Sequence, residues 1–139
     1  MLILAPAGTG KTTFLHAIER RLFNLNLIGV YINLQNVEDC NNLLLNSLIG
    51  FNQKEIEEIF LKKRVILLLD GYDELKKPYQ NLYKINNLHH YPNIQVIITC
   101  RRNSKIIEEA IIDKRDFKEH FSPDDNQMIE LNIPLFSED

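Results

Sequence analysis

A three-layer α/β/α sandwich on a mainly parallel, five-stranded sheet is the fold class this sequence predicts, and three observations carry it. Short apolar runs alternate along the chain with segments of helical periodicity, the pattern of strands joined by crossover helices. Val65-Ile66-Leu67-Leu68-Leu69 is apolar at every position, as expected of a parallel strand covered on both faces. A glycine loop, Ala5-Pro6-Ala7-Gly8-Thr9-Gly10-Lys11-Thr12-Thr13, follows the apolar run Leu2-Ile3-Leu4 and precedes the helical pattern Phe14, Leu15, Ile18, Leu22. Strand, glycine loop, Lys-Thr, helix is the order a phosphate-binding loop requires.

The remaining elements follow in turn. Residues 27–34 read as a second strand. Residues 37–49, with Leu43, Leu44, Leu45 and Leu48, predict a helix that Gly50 terminates. Residues 54–61 form a short amphipathic helix with Ile56, Ile59 and Phe60 on one face. The apolar strand at 65–69 ends on Asp70-Gly71, and Pro78 suits the first turn of another helix, with Tyr79, Leu82, Tyr83 and Ile85 inward. Residues 94–98 give a fourth strand, ending on Thr99-Cys100-Arg101-Arg102. Ile106, Ile107, Ala110 and Ile111 mark a helix, residues 113–126 a charged loop containing Pro123, and residues 128–133 an alternating edge strand.

The bulk numbers fit one domain spanning residues 1–139. With 45% hydrophobic and 25% charged residues the composition is that of an ordinary globular chain. A net charge of −3 and the absence of a basic patch argue against a dedicated nucleic-acid binder. Cys40 and Cys100 lack disulfide or metal-ligand spacing and read as reduced, partly buried thiols. No run reaches transmembrane length and no basic leader precedes the apolar start, so no membrane partner and a cytoplasmic location are expected.

In parallel sheets ligands bind at the carboxyl ends of the strands, and three strand ends here carry polar groups: the glycine loop, Asp70 and Arg101. Gly8 and Gly10 let consecutive N–H groups turn inward towards a polyphosphate at the helix N-terminus. Lys11 is expected to reach the terminal phosphates, and the Thr12 hydroxyl to take one position on Mg²⁺. The first glycine of the usual G-x-x-x-x-G-K-[ST] pattern is Ala5, already restricted to extended geometry by Pro6. Asp70 follows the most apolar strand, where a carboxylate is costly unless paired or metal-bound, and should hold Mg²⁺ opposite Thr12. Asp73 or Glu74 would orient an attacking water, Asp73 being favoured with Glu74 in support. Arg101 would sense the γ-phosphate, Thr99 would bond to the metal or water shell, and Arg102 would point elsewhere. His16, His89 and His90 lack partners at metal-ligand spacing, and the tyrosines read as packing residues.

Three stretches together resemble the signatures of NACHT-type NTPases, a group of the signal-transduction ATPases with numerous domains. They are Ala5 to Thr13, Val65-Ile66-Leu67-Leu68-Leu69-Asp70-Gly71-Tyr72-Asp73-Glu74-Leu75, and Val96-Ile97-Ile98-Thr99-Cys100-Arg101. A small residue after the metal-binding Asp, then a further Asp-Glu pair, separates this group from general AAA+ proteins. The third signature usually reads Thr-Ser-Arg-Pro; Cys100 and Arg102 replace Ser and Pro here. The resemblance implies a P-loop fold and an ATP- or GTP-dependent switch that opens with triphosphate to self-associate. It also implies a lid, a winged helix and a sensor array, none of which this sequence contains. The chain is therefore expected to be a bare core, a fragment or a split gene product. The function expected is Mg²⁺-dependent ATP (or GTP) binding with slow hydrolysis. The alternatives are a non-hydrolysing scaffold or remnant and, less favoured, a small P-loop kinase.

Overall fold

The computed structural model describes residues 1–43, 47–76, 81–105 and 129–133. Its strands are β1 (Leu2–Ala5), β2 (Ile28–Asn33), β3 (Val65–Asp70), β4 (Ile94–Arg101) and β5 (Glu130–Asn132). They form one sheet in the order β2-β3-β4-β1-β5, and every pairing is parallel. The described α-helices are α1 (Lys11–Asn24), α2 (Gln53–Lys62) and α3 (Leu82–Ile85).

The unbroken apolar run of β3 explains its place inside the sheet, since all its residues are buried. Ile66 and Leu68 face α1, where they pack with Leu15 and Leu22. Val65, Leu67 and Leu69 face the other layer, packing with Ile56 and Phe60 of α2 and Leu82 of α3. Each such leucine contributes about 1.5–3 kcal/mol relative to an exposed one. Helices thus cover both faces, and the expected α/β/α layering and parallel five-stranded sheet are present.

Local chemistry sets the helix starts. Asn52 accepts from Glu55 N–H at 3.0 Å and Glu55 accepts from Asn52 N–H at 2.8 Å, a reciprocal cap that starts α2 at Gln53. Helix α1 instead starts from Gly10 in the left-handed region (φ 76°), with no side-chain cap and no acidic residue in its first turn.

Three expectations need correction. The helix predicted for residues 37–49 does not begin at Val37. Asp39 is extended and its carboxylate takes the Asn41 N–H, starting a 3₁₀ turn over Cys40–Asn42. Residues 44–46 lie outside the described residues, and Gly50 is left-handed (φ 94°) after the segment, as a terminator should be. The helix expected through Leu82, Tyr83 and Ile85 is interrupted at Asn81, which is extended and caps Leu82–Ile85 through Lys84 N–H. Strand β2 stops at Asn33, and Leu34 opens a 3₁₀ turn capped by that asparagine. Pro78, Tyr79, the helix around Ile106, the loop at 113–126 and Met128 lie outside the described residues, while Glu130–Asn132 forms the expected edge strand.

Candidate functional site

Parallel pairing brings the carboxyl ends of β1, β3 and β4 to one edge, with Ala5 beside Arg101 and Asn33 beside Asp70. An open cleft of about 310 Å³ lies along that edge. Its walls are Ala7 to Thr12, then Asp70, Gly71, Asp73 and Glu74, then Arg101, with Asn33 from the end of β2 and Gln35 from the turn after it.

The glycine loop is braced from within. Thr9 donates to Pro6 O at 2.8 Å. The Lys11 ammonium donates to Pro6 O at 2.8 Å and Ala5 O at 3.2 Å, which holds it across the mouth of the loop. Burial lowers its pKa from the ordinary lysine value, with Asp73 pulling the other way. Gly8 and Gly10 both have positive φ, and a Cβ on either would meet nothing within 4 Å. The concave side of the loop is therefore open backbone, followed by the uncapped N–H groups of α1, which is a fit to a polyphosphate.

Asp70 is 7% exposed at the end of a buried strand, so its charge needs partners. Hydroxyls supply them from three elements: Thr12 to Oδ2 at 2.6 Å, Tyr31 to Oδ2 at 2.9 Å and Thr99 to Oδ1 at 2.5 Å. Thr99, fully buried, also accepts the Gly71 N–H at 2.9 Å and so ties the turn after Asp70 to β4. Burial first, then the bond to Asp70, pushes the Tyr31 phenol up to about 12, so it stays a donor at neutral pH. Among the described residues no three His, Cys, Asp or Glu side chains cluster as a metal site. A hard cation here would rely on the Thr12 hydroxyl, the Asp70 carboxylate, water and phosphate oxygens, a donor set that suits Mg²⁺.

Gly71 is left-handed (φ 79°), which turns the chain into the 3₁₀ segment Tyr72–Glu74. Buried Tyr72 anchors that segment, and Asp73 and Glu74 point back to β4. Asp73 accepts the Arg101 backbone N–H at 2.9 Å and lies 3.4 Å from Arg101 Nε. Glu74 pairs with the far end of the same guanidinium. The side chains are 7%, 30% and 50% exposed for Asp73, Glu74 and Arg101, so Asp73 is the enclosed member. Beneath them, burial, reinforced by Asp73, pushes the Cys100 thiol up to about 12.

Of the residues expected at the site, Ala7 to Thr12, Asp70, Asp73, Glu74 and Arg101 line one cleft. Ala5 is buried and Pro6 half-buried, and both serve the loop through their carbonyls. Thr13 is exposed and does not line the cleft. Arg102 turns away, as expected, and donates to Asn132 at 3.1 Å. Three contributions were missed: the bond from Tyr31 to Asp70, beyond the packing it was read for and also makes, and the presence of Asn33 and Gln35 in the cleft. A phenol within a strand that feeds a buried core needs a hydrogen-bond partner, which was the available signal for Tyr31.

Among solved structures, AMPPCP-bound DnaA from Aquifex aeolicus superposes with a TM-score of 0.54 at 18% identity, over 96% of this chain and 39% of that one. Drosophila ORC bound to GC-rich DNA and Cdc6 gives 0.53 at 14% identity, over 97% and 51%. C. elegans PCH-2 gives 0.51 at 16% identity, over 96% and 34%. These likenesses show a shared α/β P-loop fold, and this chain spans about half or less of each. No curated protein sequence is significantly similar to it. The NACHT domain family model, however, matches residues 1–130, nearly the full length and all three strand-end signatures, and the chain therefore belongs to the NACHT family of nucleotide-binding NTPase domains.

Proposed function

We propose that this chain is the nucleotide-binding core of a NACHT-type signalling switch, binding ATP (or GTP) with Mg²⁺ and hydrolysing it slowly. The observation that carries this reading is the meeting of an open glycine loop, a hydroxyl-bonded Asp70 and Arg101 around one cleft. In this reading the N–H groups of Gly8 to Thr13 hold the phosphates, and Lys11 leaves its loop carbonyls to bond the terminal ones. Thr12 and Asp70 hold the cation, which supplies charge neutralisation and orients the phosphates. Arg101 leaves Glu74 to meet the charge that develops at the γ-phosphate. A carboxylate from the Tyr72–Glu74 turn orients the water. Asp73 is the favoured carboxylate and Glu74 supports it, while freedom to move argues for Glu74, which is the more exposed of the two. Self-association on triphosphate binding, and a role as one part of a longer switch, belong to the same proposal.

A second reading, binding without turnover, is favoured by one observation: Arg101 occupies both carboxylates that would otherwise act on water. Thermal shift and phosphate release, run side by side, test the two. Free nucleotide at a hundred times its dissociation constant should stabilise the protein by about 2.7 kcal/mol, and Lys11→Ala should abolish that gain. A folded protein with no nucleotide-dependent shift would overturn both readings. A shift without phosphate release would select the second.

A further inference from the structure

We propose that Tyr31 is a positioning residue for magnesium: its hydroxyl holds Asp70 in the rotamer that presents Oδ1 to the cation. The inference rests on the reading of the cleft as an Mg²⁺–nucleotide site. An ionised carboxylate offers about four acceptor directions. Three are filled here, two at Oδ2 by Thr12 and Tyr31 and one at Oδ1 by Thr99. The remaining one, on Oδ1, is left for the cation or a water on it.

Tyr31 is fixed well enough to do this. It lies on β2, which pairs with β3 through the full length of both strands. Its ring packs against His16, with centroids 4.2 Å apart, and His16 is itself bonded to Glu19 at 3.1 Å. Since Thr12 precedes His16 by one helical turn, α1 carries both a donor to Oδ2 and the wall behind the second donor. The shared oxygen is thus gripped from α1 and β2 together. Because Thr12 spends its hydrogen on Asp70, its oxygen lone pairs remain for the cation. Without the phenol hydroxyl, Oδ2 keeps one donor and the carboxylate gains freedom to turn.

Partners that orient a metal ligand typically change metal affinity about 10–100-fold when removed. The test is Tyr31→Phe, which keeps the ring and its packing. The full chain is saturated with AMPPCP and titrated with Mg²⁺ while its melting temperature is followed; AMPPCP affinity is measured separately in EDTA. The half-saturating Mg²⁺ concentration should rise about 10-fold, with the EDTA affinity close to the parent's and the nucleotide-free protein still folded, its melting temperature lowered only by the loss of one hydrogen bond. An unchanged Mg²⁺ midpoint would overturn the proposal. Equal weakening with and without Mg²⁺ would do so as well, since it marks a merely structural tyrosine. Failure of the parent protein to bind AMPPCP at all would instead overturn the nucleotide-site reading beneath it.

Discussion

Replacing Asp73 with alanine should destabilise the nucleotide-free protein, and replacing Glu74 should hardly do so. Both carboxylates meet Arg101, but in different surroundings. The Asp73 side chain is 7% exposed and accepts a backbone N–H at 2.9 Å, a bond that fastens the turn after β3 to the end of β4. Hydrogen bonds to charged groups contribute about 1.5–3 kcal/mol, and the half-exposed Arg101 places this one near the lower limit. The Glu74 pair joins a 30% exposed carboxylate to a 50% exposed guanidinium, the kind of contact worth about 0–1 kcal/mol. For a chain of this length about 1 kcal/mol moves the melting temperature by roughly 3–5 °C. Asp73→Ala should therefore lower it by about 5–8 °C and Glu74→Ala by less than about 5 °C. Asp73→Asn keeps an acceptor for the Arg101 N–H and should recover most of the loss. Thermal and urea unfolding without nucleotide would measure all three. The reasoning fails if Asp73→Ala matches the parent, or if Glu74→Ala costs as much as Asp73→Ala.

Two further outcomes are expected. Gly71→Ala puts a Cβ into a left-handed position (φ 79°) and 2.9 Å from Glu74 Oε2. It should cost about 1–2 kcal/mol in urea unfolding and displace Glu74 from Arg101; a neutral result would mean the turn relaxes freely. Cys100 is fully buried with its thiol pushed up to about 12, so at pH 8 it is both protonated and shielded. Iodoacetamide should label it only after denaturant is added, and labelling of the native protein at the rate of a free thiol would contradict that burial.

What could be read without coordinates was what depends on neighbours in sequence. The apolar run of β3 announced a doubly covered strand, and the spacing of Ala5 to Thr13 announced the loop, because both signals are local. Residues 37–39 misled for a local reason too: the Asp39 side chain competes with the helix for backbone N–H groups, and it wins over the leucine periodicity. The bond from Tyr31 to Asp70 and the identity of the carboxylates that pair with Arg101 were out of reach for another cause. Their partners lie on other strands, and only register decides that Tyr31, packed against the α1-side core, also reaches Asp70. Likewise Arg101 was expected to await a phosphate, whereas in the folded chain two carboxylates already claim it.

Strand order has a consequence for how this protein comes into being. The strand that carries the glycine loop precedes the other described strands in the chain, yet it lies between β4 and β5, with Leu2 aligned to Ile98 on one side and Glu130 on the other. Its backbone therefore gains one sheet partner only when β4 is in place and the other only with β5. A product ending short of Glu130 would leave the β5 side of β1 as an exposed, adhesive edge.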